Sequence, residues 1–156
     1  MTIAVAFEDP AGADAQALIA ELSQTLAAIT GSSGQASFDL DDVRGPRAGL
    51  ALARDAQGRA LGCGALRAMG DDDDGDAAEI KRMYARPGTA GVGAALLHFL
   101  EQQAAQWGYA TLRLSTRRVN TRAVAFYERQ GYRPIAGYGR YALSDVSVCF
   151  EKRIGS

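Results

Sequence analysis

Apolar residues recur every three or four positions in three stretches of the 156-residue chain. This period is typical of a helix with one buried face, and it predicts helices over 14–30, 91–107 and 120–130. Each stretch is followed by a glycine, at positions 31, 108 and 131, as is common where a helix ends. A fourth, shorter helical turn is expected around Leu40 and Val43, within an otherwise polar segment.

Between these stretches, short apolar or alternating runs predict strands over 2–7, 47–54, 59–69, 78–85, 110–115, 132–135 and 146–152. The sequence Asp55-Ala56-Gln57-Gly58 indicates a hairpin turn between the second strand and the third. We find no internal repeat and no linker. The order of elements therefore predicts one α+β domain over 1–156, with a mixed central sheet of six or seven strands and about four helices.

The composition excludes several classes of protein. A hydrophobic content of 47% with 22% charged residues is typical of a globular protein. No apolar run approaches the roughly 20 residues of a membrane-spanning helix, and the N-terminal residues lack the features of a secretory signal. We therefore expect a cytoplasmic protein in which Cys63 and Cys149 are reduced and buried. One histidine and two cysteines do not suffice for a zinc site of nitrogen and sulfur ligands, so no metal is expected. His98, inside an apolar helical run, is interpreted as a packing or surface residue.

The net charge of −1 conceals two unlike halves. Residues 1–80 hold 14 acidic and 5 basic side chains, a balance of −9, whereas residues 81–156 hold 4 and 12, a balance of +8. The acidic run at 71–76 is interpreted as a solvated loop. Fifteen of the 17 basic residues are arginine, which binds phosphate or carboxylate in a bidentate manner. The second half is therefore expected to meet an anion. Nucleic acid is disfavoured, because there is no recognition motif and the isoelectric point is about 5.8.

A small-residue segment, 88–93, lies between the strand predicted over 78–85 and the helix predicted over 91–107. The N-terminus of a helix presents unpaired N–H groups and a partial positive charge, so it can hold a phosphate. The segment lacks the lysine of a Walker A loop, and its nearest following acid, Glu101, lies inside the helix rather than at a ribose-binding position. Alone, it is equally consistent with a helix start that simply packs tightly.

Three ordered stretches resemble the GNAT family of acyl-CoA-dependent N-acetyltransferases. They are Glu79-Ile80-Lys81-Arg82-Met83-Tyr84-Ala85-Arg86-Pro87, the helix start Gly91-Val92-Gly93 with Leu96-Leu97, and a run from Asn120 to Tyr132 that reads Asn-x-x-Ala-x-x-x-Tyr-x-x-x-Gly-Tyr. The resemblance covers about residues 78–135. It implies the GNAT fold, in which two central strands splay apart, and acetyl-CoA as the acyl donor.

The resemblance also implies a cofactor site. The exposed backbone of the central strand would pair with the pantetheine arm, and the turn and helix start would hold the pyrophosphate. The third stretch would contact the cofactor through Asn120 and Ala123, although Asn120 is equally suited to cap its helix. The implied cofactor residues of the strand and turn are Met83, Tyr84, Ala85, Gly88, Thr89, Ala90, Gly91, Val92, Gly93 and Ala94.

Two residues match catalytic positions of the family. Tyr127 matches the general acid that protonates the departing thiolate, which suits a phenol because its pKa of about 10 lies above that of a thiol. Its alternative interpretation is a core aromatic residue. Glu79 is the candidate general base, acting directly or through water, and its alternative is a solvated or salt-bridged carboxylate. A backbone N–H near Met83 would stabilise the negative charge on the thioester oxygen.

One position departs from the family pattern. Gly88 stands where the family usually has arginine or glutamine, so we expect weaker binding of CoA, with Arg86, Arg117, Arg118 and Arg122 as residues that could compensate.

The resemblance implies a primary amine of a small molecule or peptide as the acceptor. Its pocket is expected from the segments 32–45 and 138–141, with the candidate contacts Phe38, Arg44, Tyr138, Arg140 and Tyr141. Arg44 and Arg140 would suit an acidic acceptor. No nucleic acid or membrane partner is expected, and a homodimer is possible by analogy. The alternative function is a non-catalytic module that binds acyl-CoA on the same fold.

Overall fold

A computed structural model describes residues 2–34, 38–69 and 76–155. Its three α-helices are α1 (Ala13–Thr30), α2 (Val92–Gln106) and α3 (Thr121–Arg129), and two 3₁₀ helices cover Leu40–Val43 and Gly139–Tyr141. The strands are β1 (Ala4–Glu8), β2 (Gly49–Arg54), β3 (Ala60–Ala68), β4 (Ala77–Ala85), β5 (Thr111–Arg117), β6 (Arg133–Ile135) and β7 (Ser147–Arg153). The acidic run at 71–76 lies outside the described residues, except for Asp76. In the part of the chain that is described, no helix is long and apolar enough to cross a membrane.

The hydrophobic period located the helices correctly. All three begin and end within about two residues of the prediction, and the turn expected around Leu40 is a 3₁₀ helix rather than a fourth α-helix. Gly31 adopts the left-handed conformation after α1, with φ 81°, and its N–H donates to the carbonyl of Ala27. Only the 3₁₀ helix in the aromatic loop at 139–141 had no sequence signal.

The seven strands form one mixed, open sheet in the order β1-β2-β3-β4-β5-β7-β6. Every neighbouring pair is antiparallel except β4 and β5, which are parallel. The parallel pairing is short, because it joins only Ala77–Glu79 to Thr111–Arg113. Beyond that point the two strands diverge, as the GNAT resemblance implies. The predicted α+β class and the splayed central strands are therefore confirmed.

Strand β4 carries a bulge between Lys81 and Tyr84, beyond the segment that pairs with β5. The register with β3 shifts between Cys63 and Ala65, where Tyr84 and Lys81 are the facing residues. Within this step Arg82 adopts a φ of 56°, a left-handed conformation that is uncommon for a residue other than glycine. A bulge bends its strand, so the irregularity helps to turn the end of β4 away from β5.

Helices cover both faces of the sheet. Helices α2 and α3 enclose the larger apolar core, in which Leu96, Leu100, Leu112 and Phe150 are fully buried. Helix α1 covers a smaller cluster on the other face, which includes Leu18. Both cysteines are buried free thiols, as predicted, and burial raises the pKa of Cys63 to about 12. His98 lies on the exposed surface of α2.

Candidate active site

The divergence of β4 and β5 leaves part of the central strand unpaired. The last paired position joins Glu79 to Arg113, and no strand among the described residues pairs with the edge of residues 80–85 that faces β5. The candidate residues Met83, Tyr84 and Ala85 all lie in this segment. Such an edge presents N–H and C=O groups that an extended ligand can bind. We call the space between the diverging strands the cleft, and the end of it at Glu79 and Arg113 its vertex.

The turn at 86–91 leads from β4 into α2 and is built to leave backbone donors open. Gly88 and Gly91 adopt left-handed conformations, with φ of 81° and 76°, and a Cβ atom at either would meet nothing within 4 Å. The first helical hydrogen bond runs from the Ala95 N–H to the Gly91 carbonyl, at 3.0 Å. The N–H groups of the candidates Val92, Gly93 and Ala94 therefore have no acceptor within the helix. This arrangement fits a pyrophosphate.

The other residues at 89–93 fix the shape of the turn without occupying the backbone N–H groups at the start of α2. The Thr89 hydroxyl donates to the Arg86 carbonyl at 2.6 Å, and the Thr89 N–H donates to the same oxygen at 3.3 Å. These bonds fix the bend that directs Ala90 and Gly91 toward the helix start. Gly93 packs closely, since a Cβ atom there would lie 3.3 Å from the ring of Phe126 on α3. Close packing and open donors therefore both explain the small residues of the turn.

Helix α3 supplies Asn120 and Tyr127. The Asn120 side chain caps the helix, because its Oδ1 accepts from the Ala123 N–H at 3.3 Å. Tyr127 is 7% exposed and packs among aromatic rings, with centroids 5.8 Å away at Tyr132 and 6.2 Å away at Phe150. Burial raises the pKa of the Tyr127 phenol well above its usual range. No described residue forms a hydrogen bond with the Tyr127 hydroxyl, so this proton is available to a ligand.

Glu79 lies at the vertex and is 4% exposed. Its Oε2 accepts from the Tyr138 hydroxyl at 2.8 Å, and its Oε1 lies 3.1 Å from Nε of Arg67 and 4.0 Å from Nζ of Lys81. Arg67 also pairs with Asp42 of the first 3₁₀ helix, at 3.0 Å. We call Glu79, Arg67, Asp42, Lys81 and Tyr138 the vertex cluster. A carboxylate can accept a proton, so the side chain of Glu79 is chemically suited to act as a base.

The aromatic loop brings two acceptor candidates to the vertex. Tyr138 and Tyr141 pack edge to face, with ring centroids 5.7 Å apart. Burial and the neighbouring Glu79 carboxylate raise the pKa of Tyr138 far above its usual range, so its phenol keeps its proton. The sequence indicated Glu79 and Tyr138 separately, from different motifs. Only the folded chain shows that a hydrogen bond joins the two side chains.

The other acceptor candidates occupy different surroundings. Phe38 lies beneath the guanidinium of Arg82, whose carbon is 5.9 Å from the ring centroid. Arg44 forms an exposed ion pair with Asp41 at 3.6 Å, and Arg140 lies in the second 3₁₀ helix. Arg82 was not among the candidates, although it is buried and donates to the Ile19 carbonyl, the Ser33 carbonyl and the Ser23 hydroxyl. It thereby ties the bulge of β4 to α1.

The structure changes the interpretation of Arg86. Its guanidinium binds both oxygens of Glu21, at 3.0 and 2.7 Å, and also donates to the Ala60 carbonyl at 2.8 Å. The Tyr84 hydroxyl donates to the same carboxylate at 3.1 Å. Arg86 is therefore paired with α1, and its proposed compensation for Gly88 stays a prediction. We call Glu21, Arg86 and Tyr84 the rim cluster.

The other three arginines that were expected to compensate for Gly88 differ in their surroundings. Nε of Arg118 donates to the Asp145 carbonyl at 3.2 Å, whereas Arg122 is exposed on α3. Arg117 is half-buried at the end of β5, and its Nε has no hydrogen-bond partner among the described residues. Contact of these arginines with an anion near the cleft stays a prediction, which the unpartnered Nε of Arg117 supports most directly.

Three residues of the vertex cluster were not predicted as site residues from the sequence: Arg67, Asp42 and Lys81. The strand predicted over 59–69 contains Arg67 among apolar residues, and a charged residue at such a position is a signal that it has a partner across the strand. The register between β3 and β4, which places Arg67 opposite Glu79, could not be read from the sequence because the connection between these strands has no tight-turn signature.

Comparisons with known proteins agree with this geometry. The model of the Acetyltransferase (GNAT) family matches residues 16–132, which is three quarters of the chain. A protein of Azospirillum brasilense named IAA acetyltransferase is 29% identical over 152 residues, covering 96% of this chain and 97% of that protein. An uncharacterized N-acetyltransferase of Mycobacterium bovis is 37% identical over 90 residues, 56% of this chain and 54% of that protein.

Solved structures show the same fold. A Klebsiella pneumoniae protein described as an acyl-CoA N-acyltransferase superposes with a TM-score of 0.81 at 30% identity, covering 98% of both chains. The ribosomal-protein-S18-alanine N-acetyltransferase of Escherichia coli superposes with a TM-score of 0.69 at 19% identity, covering 99% of this chain and 96% of that one. The cleft, the glycine turn and the sequence match together establish that the chain belongs to the GNAT acetyltransferase family.

Proposed function

We propose that the protein transfers an acetyl group from acetyl-CoA to a primary amine of a small molecule or peptide, by direct attack within a ternary complex. The observation that carries the proposal is the end of β4–β5 pairing at Glu79. It creates a cleft with open backbone donors at the turn end and a buried carboxylate at the vertex. A thioester held along β4 would therefore lie along a strand that carries a candidate base, Glu79.

Acetyl-CoA supplies the activated acetyl group when it is bound. The chain's contribution is to hold it: the N–H groups of Val92, Gly93 and Ala94 would bind the pyrophosphate, and the unpaired edge at 83–85 would pair with the extended arm. The left-handed glycines at 88 and 91 leave room for the phosphates to approach the backbone. The Asn120 side chain caps the start of α3, the helix that carries Tyr127.

Two side chains would then move protons. A primary amine is mostly protonated at neutral pH and must lose a proton to attack, and Glu79 is the base that accepts it. The new C–N bond forms as the C–S bond breaks, and Tyr127 gives its proton to the departing sulfur. The second proton that the nitrogen loses as it becomes an amide then restores the Tyr127 phenol. Its raised pKa holds the phenol protonated until that moment, and its hydroxyl is not engaged by any described residue. A backbone N–H of the bulged β4 segment would stabilise the oxygen that gains negative charge.

The proposal is tested with the purified protein and a panel of primary amines, by measuring thiol release and, separately, acetyl-CoA binding by calorimetry. Tyr127→Phe should lower kcat by about 10²-fold, because proton donation by a positioned side chain contributes this much, while the affinity for acetyl-CoA stays within a factor of about two.

The matched control is Tyr109→Phe. It removes a buried tyrosine hydroxyl that donates to the Arg47 carbonyl at 2.9 Å, at the other end of β5 from the cleft. This variant should retain wild-type kcat. Equal kcat in Tyr127→Phe and the wild type would contradict the role of Tyr127 as the acid.

A second candidate function rests on Gly88, which provides no charged side chain to the turn. A domain that binds acyl-CoA without turnover would show calorimetric binding and no thiol release with any amine. Absence of binding at millimolar acetyl-CoA would contradict both functions.

A further inference from the structure

The proposed base is almost inaccessible. Glu79 is 4% exposed, and the described contacts occupy both of its oxygens: Arg67 and Lys81 lie beside Oε1, and the Tyr138 hydroxyl donates to Oε2. An acceptor amine has to come within about 3 Å of a base to give it a proton directly. The vertex cluster surrounds the carboxylate with side chains, and these side chains offer a route by which the proton can arrive.

Of the side chains that contact Glu79, one has the chemistry needed to pass a proton to it. Arginine and lysine in their charged forms carry only donors and have no lone pair with which to accept a proton. A tyrosine hydroxyl is both donor and acceptor. Tyr138 is thus the only contact of Glu79 among the described residues that can accept a hydrogen bond from an amine while it donates to the carboxylate. Tyr138 is also only partly buried, and it lies in the aromatic loop at 137–141 rather than within the sheet.

We propose that Tyr138 is a further catalytic residue, the relay that passes the proton of the acceptor amine to Glu79. This inference rests on the proposed function. In the step, the amine nitrogen gives a proton to the phenol oxygen as the phenol proton moves to Oε2 of Glu79. The amine becomes neutral and Glu79 becomes a carboxylic acid, while Tyr138 is a neutral phenol before and after. No net charge is left on the tyrosine, which agrees with a pKa raised by burial and by the adjacent carboxylate.

The charged surroundings of the relay are defined on each side. Arg67 approaches from β3, Lys81 from β4, and Asp42 lies behind Arg67 on the first 3₁₀ helix. Arg113 of β5, which lies opposite Glu79 in the sheet, forms an ion pair with Glu151 at 3.0 Å. Tyr141 packs against the Tyr138 ring. These groups form the electrostatic surroundings of Tyr138 and Glu79, and Tyr138→Phe leaves every charged one of them in place.

The test is the pH profile of kcat for the wild type, Tyr138→Phe and Glu79→Gln, with Tyr109→Phe as the control. We expect Tyr138→Phe to lower kcat by about 10²-fold at neutral pH. Without the relay, the amine loses its proton to solvent, so log kcat should rise by about one per pH unit across the range in which the wild type is flat. Glu79→Gln should show the same slope, and the double variant should be no slower than the slower single variant.

The possible outcomes distinguish failure of the Tyr138 relay from failure of the proposed function. An active wild type with unchanged kcat in Tyr138→Phe overturns the relay alone, and so does a uniform decrease in kcat that leaves the shape of the profile intact, because that is the signature of a structural role. Additive losses in the double variant also overturn it. If the wild type acetylates no amine, the proposed function fails, and the relay fails with it. Thermal unfolding of each variant establishes that it is folded, and Glu79→Gln provides a second profile should Tyr138→Phe be destabilised.

Discussion

The vertex cluster and the rim cluster use the same three residue types in two environments. Each centres on a glutamate that meets an arginine guanidinium and a tyrosine hydroxyl: Glu79 with Arg67 and Tyr138, and Glu21 with Arg86 and Tyr84. The side chain of Glu79 is 5% exposed and that of Glu21 is 37% exposed. Both clusters touch β4, one at the vertex of the cleft and the other near the turn. The difference in burial and position, rather than composition, separates a candidate catalytic group from a structural tie.

The rim cluster shows what a structural tie looks like. Arg86 binds Glu21 through two parallel hydrogen bonds, and this interaction holds the pKa of Glu21 below its ordinary value. The tie fixes α1 against the end of β4, where the backbone turns toward α2. In the vertex cluster, Arg67 approaches one oxygen only, and the other is reserved for Tyr138. Oε2 therefore receives its hydrogen bond from a hydroxyl that can also accept one, which is what the proposed relay needs.

The largest expected contrast between the clusters is in activity. Glu79→Gln should lower kcat with a primary amine by about 10²-fold or more, since the amide cannot accept the proton. Glu21→Gln, the same chemical change in the rim cluster, should leave kcat within a factor of about two. Steady-state thiol release measures both. Comparable losses in the two variants would remove the distinction on which the assignment of Glu79 depends.

The second contrast is in folding stability. Arg67→Met leaves a buried carboxylate without its closest cation, and we expect the free energy of unfolding to fall by about 2 kcal/mol. Arg86→Met breaks a pair that is one-third exposed, and the expected loss is about 0.5–1 kcal/mol. Urea unfolding of both variants at neutral pH provides the comparison. A larger loss in Arg86→Met would show that the rim cluster, not the vertex cluster, is the tighter of the two.

The smallest expected effect is the acid sensitivity of the rim cluster. The pKa of Glu21 is lower in the folded protein than its ordinary value of 4.5, chiefly because of the hydrogen bond from Arg86. Its contribution to stability is therefore fully present above that ordinary value and is lost as the pH falls through the folded-state value. Because the pair is partly exposed, the contribution is at most about 1 kcal/mol.

Urea midpoints at pH 7 and pH 3.5 measure this effect in the wild type and in Glu21→Gln. The decrease between the two pH values should be smaller in the variant, since contributions of the other carboxylates are common to both proteins. An equal or larger decrease in Glu21→Gln would contradict the sign of the pKa shift.

Much of the fold and part of the site could be predicted from the sequence. Helix periodicity and the glycines at 31, 108 and 131 located all three helices, because these are local signals. The GNAT-like stretches placed Glu79, the glycine turn and Tyr127 on the correct elements. The roles of these residues stay predictions until the activity is measured. The partners Arg67 and Asp42 were missed, because nothing local in the sequence reports the register of β3 against β4.

Arg86 shows a second limit of the sequence, which cannot say whether a charged side chain is already paired. The excess of arginine after residue 80 predicted cations for an anionic ligand, and Arg86 lies next to the turn that would bind it. In the folded chain its guanidinium binds Glu21, 65 residues earlier in the chain. A charge balance counts side chains but does not say which of them are already paired, and pairing is decided by which elements pack together.

By itself, the sequence determined the elements, their order and the residues suited to proton transfer, since periodicity, helix ends and side-chain chemistry are properties of short segments. The tertiary structure decided where β4 separates from β5, which carboxylate is buried, and which tyrosine reaches it. These follow from the register of distant strands and from the packing of α1 and the aromatic loop. Long-range contacts of this kind change the exposure and the partners of a side chain, and thereby the chemistry available to it.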